Sequence, residues 1–203
     1  DVNGIQIVFG VTEENELKLF HFSSAPFDAE NLCRKPDNWW PMEGMREAQI
    51  KESFQLVQVN FSGYNRPYEK HGNKYIVTAP GFMLKFDSIS EESDENGDVL
   101  RIVQKDSVTG AKVESVMQFY DGLSIARMYN TVTNEGNEDQ TLEYISSFSY
   151  WGIEKEQKEG IPEFISSDDK MSMVVVHTGW PKELSVTNYR FADLGLAQPP
   201  PHH

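Results

Sequence analysis

Three features of this sequence predict an all-β fold. Apolar and polar residues alternate in short runs along most of the chain, tight-turn residues separate those runs, and no long segment sustains helical spacing. At 203 residues, with 38% hydrophobic and 12% aromatic content, the chain can bury one sizeable β core. We read residues 1–196 as a single β domain. The Pro-rich stretch 197–203, closing on Pro199-Pro-Pro-His-His203, reads as a linker or tag-like tail.

The elements follow in order. Gly4-Ile-Gln-Ile-Val-Phe9 and Glu16-Leu-Lys-Leu-Phe-His-Phe22 have period-two patterning and flank an acidic turn at Glu13-Glu-Asn15, which predicts an opening hairpin. Leu56–Phe61 and Phe82–Phe86 follow the same alternation. Val99–Val103, Val113–Tyr120 and Ser124–Val132 read as a continuous antiparallel series. Its turns are marked by Asp94-Glu-Asn-Gly97, Asp121-Gly122 and Asn134-Glu-Gly136. In the first of these, the Asn-Gly pair predicts a two-residue hairpin loop with both central residues at positive φ. Leu142–Tyr150 and the apolar run Met171–Val176 are further strands, the latter read as buried.

Two long connections interrupt this pattern, and such loops inside a domain are usually functional or packed on a partner. Pro26 to about Gln49 holds Asp37-Asn-Trp-Trp40. A sugar presents apolar C–H faces that stack on aromatic rings and hydroxyls that pair with carboxylates and amides, so Asp37, Trp39 and Trp40 are candidates for a substrate rim. Exposed Trp equally suits a protein interface, and packing on the domain's own sheet is a third role. Gly63–Lys74 follows a strand and carries Arg66, Tyr68 and His71, which would contact sugar or a neighbouring subunit, or peg the loop down. Gly63 and Gly72 would permit the positive φ that folds such a loop back. Beyond the apolar run, Trp180-Pro181 reads as a cover over the end of the core.

Several chemistries have no support. A formal net charge of −14 argues against nucleic acid and favours neutral ligands. The His residues lack zinc spacing, the acidic Asp94–Asp98 run lacks the calcium-loop pattern, and no phosphate loop or nucleophile elbow occurs, so neither metal nor cofactor is expected. No run is long enough to span a membrane. A single cysteine, Cys33, rules out an intrachain disulfide, which favours a cytoplasmic setting. Asn60-Phe-Ser62 matches a glycosylation acceptor but falls in a predicted strand.

Three segments, taken in order, carry a family resemblance. They are His71-Gly-Asn-Lys74, Tyr129-Asn-Thr-Val-Thr-Asn-Glu-Gly136, and the His177-Thr-Gly-Trp-Pro element that leads to Leu194-Gly-Leu196. Together they resemble the N-terminal domain of glycoside hydrolase family 36, the bacterial α-galactosidases and their relatives. The resemblance implies a supersandwich of two large antiparallel sheets, galactose-mutarotase-like. It further implies retaining hydrolysis of terminal α-galactosides such as raffinose or melibiose, through catalytic Asp residues of a (β/α) barrel. This chain shows no alternating βα pattern, so those residues are expected beyond His203, and no catalytic residue is assigned within the chain. The implied partners are the C-terminal catalytic barrel, α-galactoside oligosaccharides and further copies in a homo-oligomer. Many relatives have an acidic, Arg-containing loop where this chain has Asn38–Arg46, so their subsite contacts are not carried over. Two rivals are a free-standing carbohydrate-binding module using Trp39 and Trp40, and a mutarotase-like enzyme with a His and a Glu facing across a cleft.

Overall fold

The computed structural model describes residues 2–27, 29, 54–64, 81, 83–150, 172–180 and 182–190. These residues form an all-β protein with almost no helix, in antiparallel sheets. They divide into two compact units, one holding the first eight strands and the other the last two.

The first unit opens with β1 (Gln6–Val11) and β2 (Leu17–Ser23), paired antiparallel as the alternation predicts. Their turn closes through Thr12 and Glu16. The Thr12 N–H donates to the Glu16 carbonyl at 2.9 Å, and Asn15 takes a left-handed φ of 61°, a conformation that Asn tolerates better than most residues. The hairpin tip is then tied down twice. The Asn15 side-chain amide donates to the Phe86 carbonyl at 2.7 Å, and the Phe86 N–H donates to the Asn15 carbonyl at 2.8 Å.

A second buried cluster forms around β3 (Val59–Phe61) and its antiparallel partner β8 (Leu142–Ile145). Here the structure departs from the half-buried strand expected of Leu56–Phe61. Every residue from Phe54 to Phe61 is buried, including Gln55, Gln58 and Asn60, and ladder pairing begins only at Val59. Hydrogen bonds offset the burial of these polar groups. The Gln58 amide donates to Gln55, the Gln58 N–H donates to Ser146 Oγ at 2.9 Å, and the Asn60 amide donates to Glu143 Oε2 at 2.9 Å. Asn60 is thus enclosed and engaged, which leaves the glycosylation match without an accessible acceptor.

The largest sheet follows the order β4 (Lys85–Asp94), β5 (Gly97–Lys105), β6 (Ala111–Phe119), β7 (Ala126–Asn134). The predicted antiparallel series is therefore present, with its strands extending beyond their apolar runs. The register sorts the two faces. Leu100, Met117 and Met128 lie in one row across the sheet, and Ile102, Ser115 and Asn130 in the next. Ile102, Met117 and Phe119 join Leu17, Leu19 and Leu56 in one buried cluster, so the β1–β2 hairpin covers this face. Each such apolar side chain contributes about 1.5–3 kcal/mol when fully buried. On the opposite face Arg101 bridges Glu92 at 3.3 Å and Glu114 at 3.2 Å, in rows shared with the buried Val99 and Val116.

Strand β4 is the second departure. Leu84 precedes the strand, which runs on through Ser88-Ile-Ser-Glu-Glu-Ser-Asp94. Apolar alternation misses it because β4 is exposed along most of its length and is held by its ladder with β5. Charged residues on such a strand also discourage edge-to-edge association.

The turn between β4 and β5 differs in detail from the Asn-Gly loop expected. Asp94 pairs with Gly97, so Glu95 and Asn96 are the loop residues, and of the four only Gly97 has positive φ, at 143°. Asp94 supplies the closure, its Oδ1 accepting from the Asn96 N–H at 2.8 Å and the Gly97 N–H at 3.2 Å. A Cβ at Gly97 would lie 2.5 Å from the Phe119 carbonyl oxygen, so glycine lets this turn sit against the end of β6.

Among the described residues, one ion-pair cluster is partly buried, with Lys85 reaching it from the surface. Lys18, 1% exposed, lies 3.3 Å from Glu16, which also accepts from Lys85 Nζ at 2.9 Å. It joins β2 to the start of β4 beneath the hairpin tip.

The second unit is a hairpin of β9 (Ser172–Gly179) and β10 (Lys182–Arg190), antiparallel with a register shift between Lys182 and Ser185. Strand β9 matches the predicted Met171–Val176 run, whereas β10 lies outside the runs predicted as strands. The expectation of burial fails. Val174, Val176, Leu184 and Val186 are all exposed, and the register puts Val174, Val176 and Val186 on one face. Trp180, expected to cover a core end, is 96% exposed because it stands at the hairpin turn.

Candidate functional site

The candidates drawn from the sequence, Asp37, Trp39, Trp40, Arg66 and His71, lie outside the described residues. Gly63, at the start of the second long connection, has the positive φ expected of it, 88°. Of the residues carrying the family resemblance, His177 sits in β9 opposite Ser185 and is exposed. Tyr129 lies on the outer face of β7 with the Arg127 guanidinium 5.8 Å from its ring centre, and the following turn closes through the Gly136 N–H donating to Asn134 Oδ1 at 2.9 Å.

The described residues do form a cleft that alternation does not reveal. Its volume is about 500 Å³, and it lies between β1 and the β4–β5 end of the large sheet. The register explains its lining. Glu91 faces Leu100, and Ser93 faces Asp98, so these four share the face on which Ile89 and Phe119 also lie. Ile7 and Phe9 of β1 form the opposing wall. The result is a cleft in which apolar side chains and carboxylates share the lining about equally.

Two sets of ties fix the wall relative to the floor. The hairpin tip is bound to β4 through Asn15 and Phe86, as above. Near its base, the Asn3 amide donates to the Tyr120 carbonyl at 2.8 Å, and Ser124 Oγ donates to the Asn3 carbonyl at 2.7 Å. β1 is therefore clamped near both ends over one sheet, and the cleft is the gap left along its side.

The rim carboxylates differ in engagement. Glu92, which points to the other face, is held by Arg101, and that hydrogen bond is the main reason the guanidinium is stabilised in its charged form. Asp98 accepts from Ser93 Oγ at 2.9 Å. Glu91 has no hydrogen-bond or ion-pair partner among the described residues. Just beyond the rim, Asp94 is held below the ordinary carboxylate value of 3.8, chiefly by the Asn96 N–H. The signal that could have exposed this cleft is Glu91-Glu92, which reads as a charged hairpin approach until pairing with β5 aligns Glu91 with Leu100.

Among the described residues, no group of three or more His, Cys, Asp and Glu side chains is gathered as a metal ion would need. No helix among them is long and apolar enough to cross a membrane. No protein family, curated relative or solved structure matches the chain.

Proposed function

We propose that this chain is the non-catalytic N-terminal domain of a retaining α-galactosidase of the family-36 type, built as a galactose-mutarotase-like supersandwich. In this reading a barrel elsewhere in the same polypeptide performs the hydrolysis. The domain braces that barrel, supports a homo-oligomer and contributes to the active-site rim. The ligands are neutral α-galactoside oligosaccharides, in keeping with the −14 charge.

The observation that supports the reading most directly is the uncovered apolar face of β9–β10. A two-stranded hairpin is marginal in water by itself and needs further strands or a packed partner. Here Val174, Val176 and Val186 are aligned and open to solvent, and Leu184 and Trp180 of the same hairpin are exposed as well. Contiguous apolar surface of this kind marks an interaction site. It occurs in the segment whose His177 and Trp180 resemble the end of the family's N-terminal domain. A catalytic barrel packed there would remove this surface from water.

The test compares these 203 residues with the longer product of the same reading frame. Assayed with an aryl α-galactoside, the longer protein should release aryl alcohol and this chain should match buffer. Turnover by this chain alone, lost on mutation of one of its own Asp or Glu residues, would overturn the assignment.

A further inference from the structure

We propose that the cleft between β1 and the β4–β5 end of the large sheet is a carbohydrate subsite for one or two rings of a neutral oligosaccharide. The choice of α-galactosides as its ligands rests on the function proposed above. The cleft itself is independent of Asp37, Trp39 and Trp40.

Three properties converge on a sugar. The cleft, at about 500 Å³, falls within the roughly 300–1,000 Å³ typical of small-molecule sites, and its lining is polar and apolar in about equal part. Its apolar residues, Ile7, Phe9, Ile89 and Leu100 among them, suit the C–H face of a pyranose. Its carboxylates are open to a ligand's donors, because among the described residues Glu91 has no partner and Asp98 accepts from the Ser93 hydroxyl alone, and both are exposed. Sugar hydroxyls supply donors to a carboxylate, and such hydrogen bonds are about twice as strong as neutral ones.

Other ligand classes fit less well. A phosphorylated or otherwise anionic ligand would meet Glu91, Asp98 and the net charge of −14. A wholly apolar ligand would strip water from the carboxylates without replacing it, a penalty that burial of polar groups always carries. A metal ion lacks a ligand set among the described residues. A cationic amine shares the charge complementarity, and the test separates it. The clamped wall also matters, because a pre-formed site loses little ordering entropy on binding.

The experiment is an NMR titration of the ¹⁵N-labelled 203-residue chain with melibiose, raffinose, maltose and, as a cationic probe, spermidine. Melibiose and raffinose should bind in the millimolar range. Their amide shifts should centre on Ile89–Asp98 and Ile7–Phe9, and the affinity should be little changed by added salt. Glu91→Ala should weaken binding about tenfold, the loss of one charge-assisted hydrogen bond, and Glu91→Gln should restore part of it because an amide still pairs with hydroxyls. Both variants alter an exposed strand position, and an unchanged spectrum elsewhere verifies folding. Binding of spermidine alone, abolished by salt, would overturn the subsite, as would sugar-induced shifts confined to residues outside the cleft. If maltose binds as well as melibiose, the subsite stands and the galactoside reading loses support. If no sugar binds while the longer protein cleaves α-galactosides, the subsite fails and the proposed function stands.

Discussion

The β4–β7 sheet and the β9–β10 hairpin are written in the same sequence language and end in opposite environments. Both are antiparallel ladders rich in Val, and both present an apolar row on one face. In the sheet, a covered row runs through Met117, and the opposite face is laced by Arg101, Glu92 and Glu114. In the hairpin, the row through Val174, Val176 and Val186 faces solvent. Periodicity thus reports that a strand has an apolar face, but says nothing about what covers it. For the sheet, the cover is the β1–β2 hairpin of the same unit. For β9–β10, the proposed cover is a partner domain.

The largest expected effects test that contrast directly. Met117 is fully buried within the first core cluster. Met117→Ala should lower unfolding free energy by about 2–5 kcal/mol, through lost transfer energy and the cavity left behind. Val176, 51% exposed, should tolerate Thr within about 0.5 kcal/mol. Urea unfolding followed by tryptophan fluorescence measures both. A large cost for Val176→Thr in this chain would mean that the hairpin face is already covered in solution, and the contrast would break.

Glycines at the two hairpin turns give the next comparison. Gly97 has φ of 143°, and an added Cβ would lie 2.5 Å from the Phe119 carbonyl oxygen and 3.0 Å from the Asp121 nitrogen. Gly97→Ala should therefore cost about 1–3 kcal/mol, since neither the backbone conformation nor the space suits a side chain. Gly179 precedes Trp180, has no positive φ, and leaves open space for 4 Å around the point where a Cβ would stand. Gly179→Ala should stay within about 0.5 kcal/mol. Equal costs at both positions would remove the distinction between a turn seated on a core and a turn free of one.

How far the chain can be read in advance follows the same division. The opening hairpin, the β5–β6–β7 series and the Asp94–Gly97 turn are legible, because apolar alternation and turn residues coincide there. Alternation places β4 too early, since Ser88–Asp94 is polar and takes its conformation from pairing with β5. The segment from Phe54 to Phe61 reads as half-buried because Gln55, Gln58 and Asn60 break its apolar run, whereas hydrogen bonds let all of them be enclosed. The expectation that β9 is buried rests on composition alone, and composition cannot name a cover. The cleft is illegible for a related reason. Glu91, Asp98, Phe9 and Phe119 come from four strands, and only the ladder registers and the clamped β1 bring them to one place.

The smallest expected effect concerns protons at the same two turns. Asp94 accepts hydrogen bonds from the Asn96 and Gly97 N–H groups and from the Gln118 amide at 3.2 Å, and these hold its pKa below the ordinary value of 3.8, with Asn96 the largest contributor. A carboxyl whose folded pKa is depressed adds stability that is present above its unfolded value and lost as pH falls through the folded one. The β4–β5 turn should therefore keep its full closure above about pH 4 and loosen only at lower pH. Asp94 is fully exposed, so the change should be local, seen as amide shifts of Asn96 and Gly97 with a midpoint under 3.8 and little change in overall stability. The β9–β10 turn, Gly179-Trp180-Pro181-Lys182, contains no carboxylate, and its amides should show no matching transition. Asp94→Asn keeps a side-chain oxygen acceptor but cannot titrate, so it should remove the pH dependence while leaving the hairpin paired. A midpoint at or above 3.8, or persistence of the transition in Asp94→Asn, would show that another group closes this turn.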